Sequence, residues 1–183
     1  MHLETDLKRI GKITREQESE NLTFSTYLKK CLSGRVDALV KKVYREVSSR
    51  IDCRRCANCC RKVRPVFTLE DLARFSSGLS LSVQGFRKRY FTGVNGRSIF
   101  KAPPCPFLSL RRCTNYALRP KTCRDYPNLE KGDICYRLDA VIAHLPICPI
   151  TFNVFQRLKG MGSALGEGAA IPYDPDFAPF ILR

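Results

Sequence analysis

Cys53, Cys56, Cys59 and Cys60 stand in the run C-R-R-C-A-N-C-C, four thiols within eight residues. A stretch that short cannot place four thiols in an apolar core. It can wrap them around a metal ion or an iron–sulfur cluster, because two-residue spacings let successive sulfurs converge on one point. Cys105, Cys113 and Cys123 follow singly, each in a Pro- or Arg-rich turn context. Thiolate metal binding is the chemistry this pattern supports.

The spacing bears on which metal. A zinc ribbon pairs two C-x₂-C knuckles; here Cys53-x₂-Cys56 is one knuckle with no distant partner. Bacterial iron–sulfur sites use C-x₂-C-x₂-C and a cysteine before proline. Cys53, Cys56 and Cys59 match the first three positions, and Cys105 and Cys148 each precede a proline, although the usual short continuation is missing. The expected ligands are Cys53, Cys56, Cys59, Cys60, Cys105, Cys113 and Cys123, with Cys148 as an eighth. The expected cofactor is an iron–sulfur cluster (4Fe–4S), with Zn²⁺ as the alternative. Adjacent Cys59 and Cys60 cannot easily serve one tetrahedral ion, so they are expected to point to different sites, or one is structural. Cys31 lies on an apolar helical stripe and reads as a small buried hydrophobe. Ligand roles for Cys135 and His144 stay open.

The chain has 183 residues, ten of them cysteine, and a net charge of +15. An even cysteine count raises a secreted disulfide framework. The N-terminus, Met1 to Ile10, has no signal-peptide apolar stretch, and no apolar run approaches the ~18 residues that span a bilayer. A cytoplasmic protein with reduced, metal-held cysteines, away from membranes, is therefore expected. The positive charge is partly explained by basic residues beside the thiols: Arg54, Arg55, Arg61, Lys62, Arg111, Arg112, Lys121 and Arg124. Arg87-Lys-Arg89 lies far from any cysteine, so a nucleic acid or an acidic protein is a candidate partner. No RNP-type, KH or C…H zinc-finger motif specifies such contact. No Ser-His-Asp, Cys-His or paired-carboxylate set stands out, so whether the protein is an enzyme stays open. Any catalysis would fall to the bound metal.

The expected fold is a small irregular α+β domain organised around a cysteine-held metal centre, with a long N-terminal amphipathic helix. Residues 1–21 read as a flexible segment. Residues 22–51 recur apolar at three- and four-residue spacing, as Leu28, Leu32, Val36, Leu39, Val40, Val43 and Val47, and the helical region runs to 52. The cysteine-cluster domain is 53–150. Within it, residues 63–67 read as a strand. Thr68 with Asp71 resembles a capping box, opening a helix to about Phe75, and a second helix starts after Ser82. Gly93 to Gly96 is a turn, 98–101 a strand, and 135–143 a strand. Arg119 before Pro120 is extended, and Pro120 starts a turn carrying Cys123 and Arg124. Arg119, Arg124 and Tyr116 are candidates for supporting the metal site, Arg124 by donating to a sulfur or to Asp125. Residues 151–183 comprise a short helix and a Gly/Pro-rich tail.

Three blocks together resemble a known family: Cys53 to Cys60, Cys105-Pro-Phe-Leu108, and Cys113-Thr-Asn-Tyr-Ala-Leu-Arg-Pro-Lys-Thr-Cys-Arg-Asp-Tyr-Pro127. They are similar to the CxxCxxCC family, YkgJ-type proteins regarded as zinc- or iron-chelating. Segments 67–75 and 81–90 also resemble the two helices between its cysteine blocks. The likeness covers about residues 53–150. It implies metal or cluster binding by the cysteines. It also brings in the flagellin lysine N-methylases, which share the cysteine pattern, so a protein lysine methyltransferase-like activity is an alternative. Asn115 stands where the family usually has an aliphatic residue.

Overall fold

The computed structural model describes residues 2–94, 97–101 and 103–161. It is α+β: ten α-helices, two short 3₁₀ helices and five short strands among those residues. The chain forms two compact units, one of residues 1–52 and 127–183, the other of residues 53–126. The span 53–150, expected as one domain, thus contributes to both.

The first unit is helical. Helix α1 (Leu7–Glu16) replaces the flexible segment expected there. Asp6 caps it, accepting from the N–H groups of Lys8 and Arg9, and Ile10 is buried. The single helix expected over 22–51 is two, α2 (Glu18–Lys30) and α3 (Ser33–Ser48). They part because Cys31 and Leu32 are extended, with ψ 159° and 117°. Apolar periodicity persists across such a break, so the pattern conceals it. In α3, Val36, Val40, Val43 and Val47 form the buried stripe.

The strand expected over 135–143 is instead helical. Ile134–Arg137 is a 3₁₀ turn and Leu138–His144 is helix α9. Leu138 and Val141, three apart, are its buried residues, at helical spacing. The Asp37 carboxylate accepts from the N–H groups of Asp133 and Ile134, at 2.8 and 3.0 Å, and fixes the start of this turn. Helix α10 (Pro149–Lys159) follows and is the short helix expected at the start of 151–183. The Gly/Pro-rich tail beyond Met161 lies outside the described residues.

The second unit carries seven of the ten cysteines. Two short helices, α4 (Cys53–Cys56) and α5 (Asn58–Lys62), are joined by Ala57, whose φ of 51° is left-handed. Strands β1 (Val66–Phe67), β2 (Phe91–Val94) and β3 (Arg97–Phe100) form an antiparallel sheet in the order β1-β3-β2. Strand β2 occupies Gly93, which was expected in a turn; Asn95 and Gly96 lie outside the described residues. Between β1 and β2 come helices α6 (Leu69–Ser77) and α7 (Val83–Tyr90). Thr68 and Asp71 form the expected capping box, and Ser82 caps α7. A hairpin of β4 (Leu108–Ser109) and β5 (Arg112–Cys113) and helix α8 (Lys121–Asp125) complete the unit.

Phe67, Leu72, Phe75, Phe86, Phe91, Phe100 and Phe107 make the core of this unit. Several rings meet at centroid distances near 5 Å, as Phe67–Phe91 at 4.9 Å and Phe75–Phe107 at 4.8 Å. Cys105, Cys113 and Leu118 pack against this cluster. Gly78 leaves room for Leu118, since a Cβ there would collide with the Leu118 side chain.

Asp71 does more than cap α6. Its buried carboxylate accepts from Arg74 Nη2 at 2.7 Å and from the Lys121 N–H at 3.1 Å, and so holds the first residue of α8. Thr122 Oγ1 donates to the Val66 carbonyl at 2.8 Å. Together these set the position of Cys123. Asp71→Asn would put an amide N–H₂ donor against the N–H donors that the carboxylate now accepts from, and leave Arg74 without its counter-charge. A loss of about 2–4 kcal/mol is expected in urea unfolding, with retained secondary structure at zero denaturant. A loss under about 0.5 kcal/mol would show that Asp71 is not the anchor.

Candidate metal centre

Three separate stretches of the second unit bring their thiols toward Cys60. The Cys105 N–H donates to the Cys60 carbonyl at 2.7 Å, joining the first and second cysteine blocks through the backbone. The hairpin then returns the chain, pairing Leu108 with Cys113. Thr114 closes it with two bonds to the Phe107 carbonyl, from N–H at 2.8 Å and from Oγ1 at 3.2 Å. Helix α8 supplies Cys123, whose own N–H bonds to the Pro120 carbonyl. The charge on Cys60 acts on Cys105, Cys113 and Cys123, which puts all four sulfurs within electrostatic reach of one another.

Two of these thiols already receive backbone N–H groups. The N–H of Phe107 donates to Cys105 and that of Asn115 to Cys113, in each case from two residues further on. Such donors favour the anionic form of sulfur. Burial opposes them and is the larger effect. It pushes the Cys105 thiol up to about 11 and the Cys123 thiol up to about 12, and raises Cys113 as well. Cys60 moves the other way, down to about 7, chiefly through the hydrogen bond from the Cys59 thiol, with Arg119 and Arg61 assisting against burial.

Arg119 reaches more of these thiols than Arg61 does: its charge acts on Cys60, Cys113 and Cys123. It is held in place from several sides. Its guanidinium lies 3.5 Å from the Tyr116 ring centroid, and its Nε donates to the Tyr116 carbonyl at 3.0 Å. Its own carbonyl accepts from Arg74 and Arg124. Arg124 was expected to donate to a sulfur or to Asp125; its hydrogen bond goes to the Arg119 backbone instead, and Lys121 pairs with Asp125 at 2.7 Å.

The other expected ligands are placed as follows. Cys59 donates to Cys60. Cys53 is exposed and Cys56 half-buried, one at each end of α4. The Cys56 carbonyl accepts from Arg61 at 3.3 Å. Cys148 belongs to the other unit; it is buried at the N-cap of α10, its N–H bonded to the His144 carbonyl at 3.0 Å. In that same unit, the buried Cys31 and Cys135 thiols donate to the Tyr27 and Leu28 carbonyls, each at 3.4 Å. His144 Nδ1 donates to the Ala140 carbonyl at 2.6 Å, one helical turn back.

Among the described residues, no group of three or more His, Cys, Asp and Glu stands close enough to hold a metal ion as positioned. The donor set nevertheless suits a soft metal. The side chains gathered about Cys60 are thiols, two already carry N–H donors, and Arg119 offsets negative charge. The sequence marked the cysteines but not the roles of Asp71, Phe107 and Asn115. The recurring signal for the latter two was a backbone N–H two residues beyond each of Cys105 and Cys113.

The thiol shifts have a direct readout in metal-free protein. At pH 7.5, alkylation should reach Cys60 before Cys105 and Cys123, since Cys60 is substantially thiolate there and the other two are not. Peptide mass spectrometry after brief iodoacetamide treatment would score the order. Cys105 and Cys123 have raised values, so they stabilise the metal-free fold below about pH 9, and that contribution fades as pH rises through 11 and 12. Early labelling of Cys123 would contradict its burial.

A family model described as "Putative zinc- or iron-chelating domain", CxxCxxCC, matches residues 52–148. Comparison with curated proteins and with solved structures finds no match. No helix among the described residues is long and apolar enough to cross a membrane.

Proposed function

The chain belongs to the CxxCxxCC family of zinc- or iron-chelating domains, and we propose that it holds its metal through thiolates centred on Cys60. What supports this reading is the backbone bond from Cys105 to Cys60 and the electrostatic reach of Cys60 to Cys105, Cys113 and Cys123, which come from separate stretches. Cys53, Cys56 and Cys59 supply further sulfurs from the adjoining helical turns.

The C-x₂-C-x₂-C spacing favours an iron–sulfur cluster as the occupant, with Zn²⁺ as the alternative. A cluster would supply one-electron transfer, and Zn²⁺ would supply folding stability. Either would take up thiolates where burial keeps Cys105, Cys113 and Cys123 protonated, so binding would release protons and tighten as pH rises toward 9. Arg119 would offset the negative charge of the thiolate set, and the Phe107 and Asn115 N–H groups would hold Cys105 and Cys113 as anions. The Asp71 carboxylate and the Phe-rich core would keep Cys123, Cys105 and Cys113 in place.

Protein purified without oxygen should contain iron, absorb at roughly 400 nm and bleach on reduction. A colourless protein with stoichiometric zinc would keep the ligand assignment and change the metal. Cys60→Ser and Cys113→Ser should each lose most of the bound metal, and Cys31→Ser should keep it. Equal metal content in all three variants would remove the proposed ligands.

A further inference from the structure

Most of the net positive charge of this protein lies in one unit. Residues 53–126 carry sixteen Lys and Arg against three Asp and Glu, a net of +13, which leaves +2 for the remainder. A thiolate centre cannot account for this. If all seven cysteines of the unit were ionised around one divalent cation, they would contribute −5, and +8 would remain. Internal pairing is scarce: Arg74–Asp71 and Lys121–Asp125 are the ion pairs among its described residues apart from Arg54. Arg55, Lys62, Arg87, Lys88, Arg111 and Arg112 are exposed and have none. Twelve of the sixteen cations are Arg, whose planar fork suits phosphate oxygens.

The β4–β5 hairpin adds a second, independent feature. Its two-residue turn, Leu110-Arg111, has φ of 43° and 67°. A turn with both residues left-handed normally takes Asn-Gly. Leu and Arg are strained there, and the backbone gains nothing from them. Leu110 is 96% exposed, so it does not serve the core. What the pair supplies is an apolar side chain at a tip flanked by Arg111 and Arg112.

We infer that this hairpin and the Arg-rich surface of its unit bind nucleic acid, the arginines on phosphates and Leu110 against an unstacked base. This does not rest on the metal reading. Phosphates recur along such a partner at a density that matches an excess of this size, and a single-stranded partner also offers base faces to an exposed apolar side chain.

The test is fluorescence anisotropy of the full chain with labelled single-stranded RNA, single-stranded DNA and duplex DNA at about 50 and 200 mM salt. A single-stranded oligonucleotide should bind at low salt and weaken about tenfold or more at high salt. The double variant Leu110→Asn/Arg111→Gly should melt at a higher temperature, because Asn-Gly relieves the turn. It should bind at least threefold more weakly, with a salt slope reduced by about 0.7 to 0.9. The variant therefore separates folding from binding. Absence of binding at low salt overturns the inference. So does unchanged affinity in the refolded variant, or equally tight retention of polyglutamate or phosphatidylserine vesicles.

Discussion

Several half-buried thiols within electrostatic reach of one another resist ionising together unless a cation joins them, and that constraint bears on the whole 53–126 unit. Each thiolate formed near Cys60 raises the cost of the next, and burial adds to that cost. Cys105, Cys113 and Cys123 consequently favour the neutral form, while Cys60, helped by the Cys59 thiol, takes the charge first. Nothing in an apolar core requires this gathering. A soft divalent metal or a cluster would resolve it, because a metal–thiolate bond would replace the proton at each ligating sulfur.

The surrounding structure keeps the thiols together in spite of that cost. Seven buried side chains, six of them Phe, form a wall against which Cys105 and Cys113 rest. Asp71 links the start of α6 to the start of α8, so one carboxylate sets the distance between the aromatic core and Cys123. Arg74, drawn to the same carboxylate, also reaches the Arg119 carbonyl, and Arg119 in turn stacks on Tyr116 and faces the sulfurs. The chain of contacts from core to cation is thus continuous within one unit.

Much of this was legible from the residues alone, for identifiable reasons. The capping box at Thr68 and Asp71, the cap at Ser82 and the turn begun by Pro120 are local, and local chemistry fixed them. The break at Cys31–Leu32 was hidden because both sides share the apolar period. The helical turn at 134–144 read as a strand because Arg137 and Asp139 alternate with Tyr136, Leu138 and Ala140, whereas Asp37, about a hundred residues earlier, decides the backbone there. For the site, the types and spacing of the cysteines were visible. Which of them approach Cys60 depends on the hairpin and on α8, and both are held by contacts distant in sequence.

The central claim, thiolate ligation centred on Cys60, is tested most directly by X-ray absorption at the iron and zinc edges of protein purified without oxygen. The account predicts a first shell of sulfur at about 2.3 Å, around whichever metal is present. A Cys60→Ser protein that still retains metal should show that shell reduced. A first shell of nitrogen or oxygen at about 2.0–2.1 Å, with no sulfur contribution, would contradict it.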